Sequence, residues 1–166
     1  MSRTIEDILK LFPDTTAPDW TQHTNGGGWV QSTAHAEDST VIEGMVSGYA
    51  QVFGNARVSD AARVYGDAQV SGNAQVSGNA WVSGDAQVPG DAQVSGDAWE
   101  TSPLCIQGSA HCATNVKHGY IAIGCEVHTY AEWLKNYKAI GAKAGYSKEQ
   151  IKEYKAIIDL FVKVGR

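Results

Sequence analysis

The stretch QVSGNAQVSGNAWVSGDAQVPGDAQVSGDAWE, from Gln69 to Glu100, repeats nearly the same six residues and then breaks off. Written as V-x-G-x-A-x from Val46, its first position holds every sixth residue to Val94, then Glu100, Ile106 and Cys112. The fifth position holds Ala50 and every sixth residue to Ala98, then Leu104, Ala110 and Val116. Only Glu100 puts a charge at an apolar position of these 12 hexads. A helix would scatter such valines around its circumference. Short strands suit the period, because Ala and Val alternate with polar residues and both point inward. Gly followed by Asn or Asp then supplies a corner, since these residues tolerate left-handed backbone. Three strands and three corners close one triangular coil of eighteen residues.

The hexad resembles the signature of left-handed parallel β-helices, an aliphatic residue followed four places later by a small one. The expected fold is therefore an all-β core, a left-handed parallel β-helix of about four to five coils, in frame from Val46 to Lys117. Four coils at ~4.8 Å spacing would rise ~19 Å. Val30, Ala36 and Ile42 form an earlier frame offset by two residues, which adds a coil after TNGGGWV.

Residues eighteen apart stack on one face. The first face carries Met45, Arg63, Trp81, Trp99 and Lys117, with Tyr65 beside Arg63; the others carry Gln51, Gln69, Gln87 and Cys105, and Arg57, Gln75, Gln93 and His111. Two faces are mainly Gln and Ser, which suits solvent. The first is an aromatic ladder bracketed by cations, the pattern of an interface or a stacking site. His111 points outward in this frame and is available for binding or acid–base work.

The ends read differently. TIEDILKLFPD predicts a short helix stopped before Pro13. Thr129 with Glu132, and Ser147 with Gln150, form capping-box patterns ahead of two amphipathic helices, the first ended by Gly145. The expected organisation is a lead-in over 1–28, the β-helix with its cap over 29–128 and a C-terminal helical hairpin over 129–166 that docks or ties an oligomer together. Cys105, Cys112, Cys125, His111, His118 and His128 fall within 24 residues. Their spacings match no paired zinc arrangement, and no metal or cofactor is expected.

Residues 1–128 carry 5 Lys/Arg against 14 Asp/Glu, and residues 129–166 carry 8 against 4. An acidic body disfavours duplex nucleic acid as its partner. Three cysteines and an acid-containing start, MSRTIEDILKLF, suggest reduced thiols and a cytoplasmic protein, and no apolar run reaches membrane-spanning length.

GGGWV, the V-S-G-N-A repeats, the junction SPLCIQG, then GCEVHT and the tail EWLKNYKAIGAKAGYSKEQIKEY resemble a set of uncharacterised phage and prophage proteins over about residues 25–158. The resemblance implies a phage-associated accessory protein in an infected or lysogenic bacterium. Such a setting makes counter-defence the natural role. The expected function is that of a non-catalytic homo-oligomer, a trimer, which sequesters an anionic nucleotide-type immune signal or blocks a host defence protein. Arg63, Tyr65, Trp81, Trp99, His111, Lys117 and His118 are the candidate ligand or interface residues. The alternatives are a hexapeptide-repeat acyltransferase with His111 as base, and a structural phage accessory protein. Against acyl transfer, no large loop interrupts the coils and no nucleophile–base pair stands out. Ice binding is disfavoured by the lack of a Thr array.

Overall fold

The computed structural model describes residues 3–96, 98–99 and 102–165. They form two compact units, the described residues within 3–91 and 95–102, and those within 92–94 and 103–165.

The first unit is a parallel β-solenoid with three-sided coils. On one side Met45–Val46, Arg63–Val64 and Trp81–Val82 stack in parallel, with Trp81 opposite Arg63 and Val82 opposite Val64. On the second side His35–Ala36, Gln51–Val52, Gln69–Val70 and Gln87–Val88 stack in the same sense. On the third, Gln75–Ser77 lies on Arg57–Val58, which lies on Val41–Ile42. The inward residues are those the hexad requires. Val46, Val52, Val58, Val64, Val70, Val76, Val82 and Val88 are fully buried, and so are the alanines from Ala50 to Ala92 at the fifth position. Each such valine contributes roughly 1.5–3 kcal/mol of burial, and alanine leaves room for the next rung.

Backbone bonds repeat with the coil. Arg63 N–H donates to Ala80 O at 2.9 Å, Tyr65 to Val82 at 2.9 Å and Asp67 to Gly84 at 3.0 Å. Corners demand left-handed backbone: Gly66 has φ 72°, and a Cβ there would lie 3.0 Å from the Gly84 nitrogen one coil on. At one corner Asp60 takes this conformation instead, at φ 59°, and its carboxylate accepts from Gly78 N–H at 3.0 Å. Asn55, Asn73 and Asp91 form a side-chain ladder along another edge.

The earlier frame does add a coil, and its two-residue offset has a structural meaning. Val30 pairs with Val46, Ala36 with Val52 and Ile42 with Val58, so the first coil has sixteen residues and its third corner is only Glu43–Gly44. A hairpin of Trp20–Gln22 against Trp29–Gln31 begins the unit. Helix α1, Ile5–Leu11, is closed by a Thr4–Asp7 capping box. Ile8 of α1 packs with Trp20 and Met45, flanked by Ile5, Leu9, Phe12 and Trp29.

The repeat ends differently from its sequence frame. Trp99 pairs with Val82, not with Trp81, whose register partner is Ala98. Ser83 N–H donates to Trp99 O at 2.9 Å, one residue earlier than the repeat dictates. One residue has been dropped from the coil, and Trp99, 2% exposed, fills the position the frame assigns to Glu100. The physical reason is plain: a carboxylate among stacked valines would be costly, whereas an indole fills the end of the apolar column. Glu100 itself, read as the end of the prism, lies outside the described residues.

The frame does not run on to Lys117. Cys105–Gln107, Cys112–Lys117, Tyr120–Ile123 and Glu126–Thr129 form an antiparallel sheet within the second unit. Ile106 and Cys112 are therefore sheet residues and not coil residues. Helix α2 spans Tyr130–Lys143 and α3 spans Lys148–Val164, each with the capping box its sequence announces, and Gly145 follows α2 at φ 77°. Their stripes pack on the sheet: Trp133, Tyr154, Ile158 and Phe161 join Ala113, Ile121 and Ile123 in one core. Among the described residues no helix is long and apolar enough to cross a membrane.

Candidate functional site

The expected ladder on the first solenoid face is shorter than its spacing suggests. Met45 is 1% exposed because the N-terminal helix covers it, and Trp99 is turned into the column. Lys117 ends the strand Cys112–Lys117 and His118 follows in the hairpin turn; the Lys117 ammonium sits 4.0 Å from the Tyr120 ring centre. What the solenoid face retains is Arg63 and Trp81. The Arg63 guanidinium lies 4.9 Å from the Trp81 ring centre, a cation–π contact, while the indole is 42% exposed. Burial, and next Arg3, push the Arg63 pKa downward, with Tyr65 opposing them. The Arg63 Nε is buried with no hydrogen-bond partner among the described residues. Tyr65 is half-buried beside it.

His111 is exposed, as its outward position implied, and its backbone and ring are both held by hydrogen bonds. It ends the turn between Cys105–Gln107 and Cys112–Lys117, and α3 clamps that turn. The Tyr154 hydroxyl accepts from the N–H groups of Ala110 at 3.1 Å and His111 at 2.6 Å, and donates to His111 O at 2.8 Å. Glu153 accepts from Ser109 N–H at 2.7 Å. The fit is close, since a Cβ on Gly108 would stand 2.6 Å from the Tyr154 hydroxyl. Held this way, His111 brings Nδ1 to 2.6 Å from the Tyr146 hydroxyl, with the two rings stacked at 5.7 Å. Tyr146 in turn stacks on Tyr154 at 4.9 Å.

The Tyr146 phenol is pushed up to about 12, chiefly by burial, then by Tyr154, Cys125 and Glu153. It therefore keeps its proton at neutral pH. The Tyr146 hydroxyl and His111 Nδ1 share this hydrogen bond; where the phenol donates, the other imidazole nitrogen, Nε2, is the one that can carry an N–H.

Beside this pair the second unit forms a partly open cavity of about 160 Å³. Its walls are mostly apolar: Trp133, Tyr137, Ile140, Ile151 and Ile158, with the backbone of Gly141 closing one side. Polar groups enter at few points, from His111, Tyr146 and Glu126, with exposed Lys143 at the rim. Glu126 is itself occupied by His128 at 3.1 Å, and His128 lies edge-on to Trp133. Trp133 is fixed by its N–H bond to Ile121 O at 2.9 Å. An apolar space near 150 Å³ accommodates one aromatic ring. Few, converging polar groups on an apolar wall are the usual make-up of a small-ligand site.

Of the sequence candidates, then, the structure joins Arg63 with Trp81, gives His111 a cavity, turns Trp99 into the column and packs Lys117 on Tyr120. Tyr146, Trp133, Tyr137 and Lys143 are the residues that spacing did not single out. Tyr146 sits one residue past the helix-ending Gly145 and is aromatic where a solvated loop needs none, which was the available signal.

The repeat is similar to a known family: the model of the YdcK beta solenoid repeat matches residues 50–66, 68–84 and 74–90. No curated protein matches the chain, and no solved structure does. The similarity lies wholly within the coils and leaves the cavity unit to be read from its own geometry.

Proposed function

We propose that this chain is a non-catalytic, self-associating binding protein that captures a small, ring-bearing anion of nucleotide type. The observation that carries the reading is the partly open aromatic cavity with a hydrogen-bonding wall and a cation among its lining residues. A nucleobase matches all three features. Its flat face suits Tyr137 and Trp133, its edge can accept from His111 Nε2–H, and its phosphate can reach Lys143. The partly exposed Trp81, with Arg63 beneath it, supports self-association into a trimer. In the phage-associated setting that the tail resembles, such capture would withdraw a nucleotide-type immune signal inside the bacterial host.

The test is native mass spectrometry of protein purified from bacteria, followed by calorimetric titration with nucleoside mono-, di- and cyclic phosphates. The expected result is a trimer that releases a nucleotide-like molecule on denaturation, or binds one from the panel. Lys143→Glu, an exposed change, should then weaken binding at least tenfold, equivalent to about 1.4 kcal/mol. An empty protein that binds nothing in the panel overturns the reading.

A further inference from the structure

Cys105 and Cys112 stand on adjacent antiparallel strands joined by the Gly108–His111 turn. The register sets Cys105 opposite Thr114 and Gln107 opposite Cys112, so the two thiols are diagonal neighbours on one face. Their Sγ atoms are 2.7 Å apart, about 0.7 Å beyond a disulfide bond of roughly 2.05 Å. Both side chains are half-buried, which leaves them within reach of a small reagent. The turn that joins them is clamped by Tyr154 and Glu153, which holds the two strands, and with them the two thiols, side by side. Cys125, the third thiol, is exposed on a different turn of the sheet.

We propose that Cys105 and Cys112 are a modification site: a dithiol that forms a reversible disulfide by exchange with a low-molecular-weight disulfide such as glutathione disulfide. One cysteine, as thiolate, attacks a glutathione sulfur, forming a mixed disulfide and releasing one glutathione thiolate. The other cysteine attacks the mixed disulfide at the protein sulfur and releases the second glutathione. The protein loses two S–H protons and two electrons; glutathione disulfide gains both electrons and, with the two protons, becomes two thiols. The ring so closed carries His111 next to Cys112, and the cross-link therefore fixes the turn that presents His111 to Tyr146. The proposal stands on the sulfur contact and is independent of which ligand fills the cavity.

The experiment uses the full-length Cys125→Ser variant, incubated across a range of glutathione disulfide to glutathione ratios, then denatured, alkylated and weighed intact. The expected product has lost the mass of two hydrogen atoms, takes up no alkylating reagent and regains two alkylation sites after reduction. Adding Cys105→Ser should convert that product into a single glutathione adduct. The wild-type chain, treated in parallel, should show the same closed pair, with Cys125 alone alkylated or carrying one glutathione that reduction removes. Two alkylatable thiols at every ratio, or one glutathione on each cysteine, overturns the proposal.

Discussion

Trp99 closes the valine column, and its removal should be expensive in a way that removal of Trp81 is not. Trp99→Ala deletes a side chain that is 2% exposed and leaves a cavity at the end of the stack. The expected loss is about 3–5 kcal/mol, read from the urea midpoint at unchanged slope. Trp81→Ala removes an indole that is 42% exposed and should change the stability of the dissociated chain by no more than about 0.5 kcal/mol. Equal losses for the two variants would mean that Trp99 does not fill the core. At this scale the sequence was legible wherever the hexad was intact: Ala and Val faced inward throughout. It misled where the repeat ends. Counting by six assigned the interior to Glu100 and the surface to Trp99, and the charge at an apolar position was itself the sign that the count had slipped. Burial decides such a conflict, and period alone cannot.

The helices were readable because their signals are local. A Ser or Thr cap with its Glu or Gln partner needs only four residues, and Thr129–Glu132 and Ser147–Gln150 both close their boxes. The antiparallel sheet was hidden because Ile106 and Cys112 satisfy a period of two as well as one of six, and strand direction is settled by partners far along the chain. The His111–Tyr146 contact was hidden for the same reason, being a bond between residues thirty-five apart. It has a signature in alkali. With its phenol pushed up to about 12, Tyr146 holds a proton in the folded state that an unfolded chain releases near 10. A raised folded pKa stabilises fully below the unfolded value, and that contribution is lost as pH rises from about 10 through about 12. The phenolate absorbance missing from Tyr146→Phe should therefore be centred near 12, and the variant's stability should fall less steeply over that window. A missing absorbance centred near 10 would show that burial does not hold this proton.

For the molecule as a whole, two forces could drive self-association, and the sequence distributes both unevenly. The solenoid unit carries 4 Lys/Arg against 13 Asp/Glu, and the second unit carries 9 against 5, giving −9 and +4, which total the chain's −5. Opposite charges on two units would attract neighbouring copies, but salt would end that attraction, since at 1 M the screening length is about 3 Å. A contact through Trp81 would act by desolvation and would survive salt. The N-terminal helix already covers Met45, and so the apolar area left on this face centres on the exposed half of the indole, backed by the Arg63 guanidinium 4.9 Å from its ring. Central aromatic and Arg pairs of this kind carry a large share of interface energy. If Trp81 drives assembly, light scattering should give a trimer at both low and high salt, and Trp81→Ala should give monomers at both while its coils melt normally. A trimer that dissociates in salt and ignores the Trp81 change would place the driving force in the charge asymmetry. That outcome would remove Trp81 from the interface and leave the exposed indole without an assembly role.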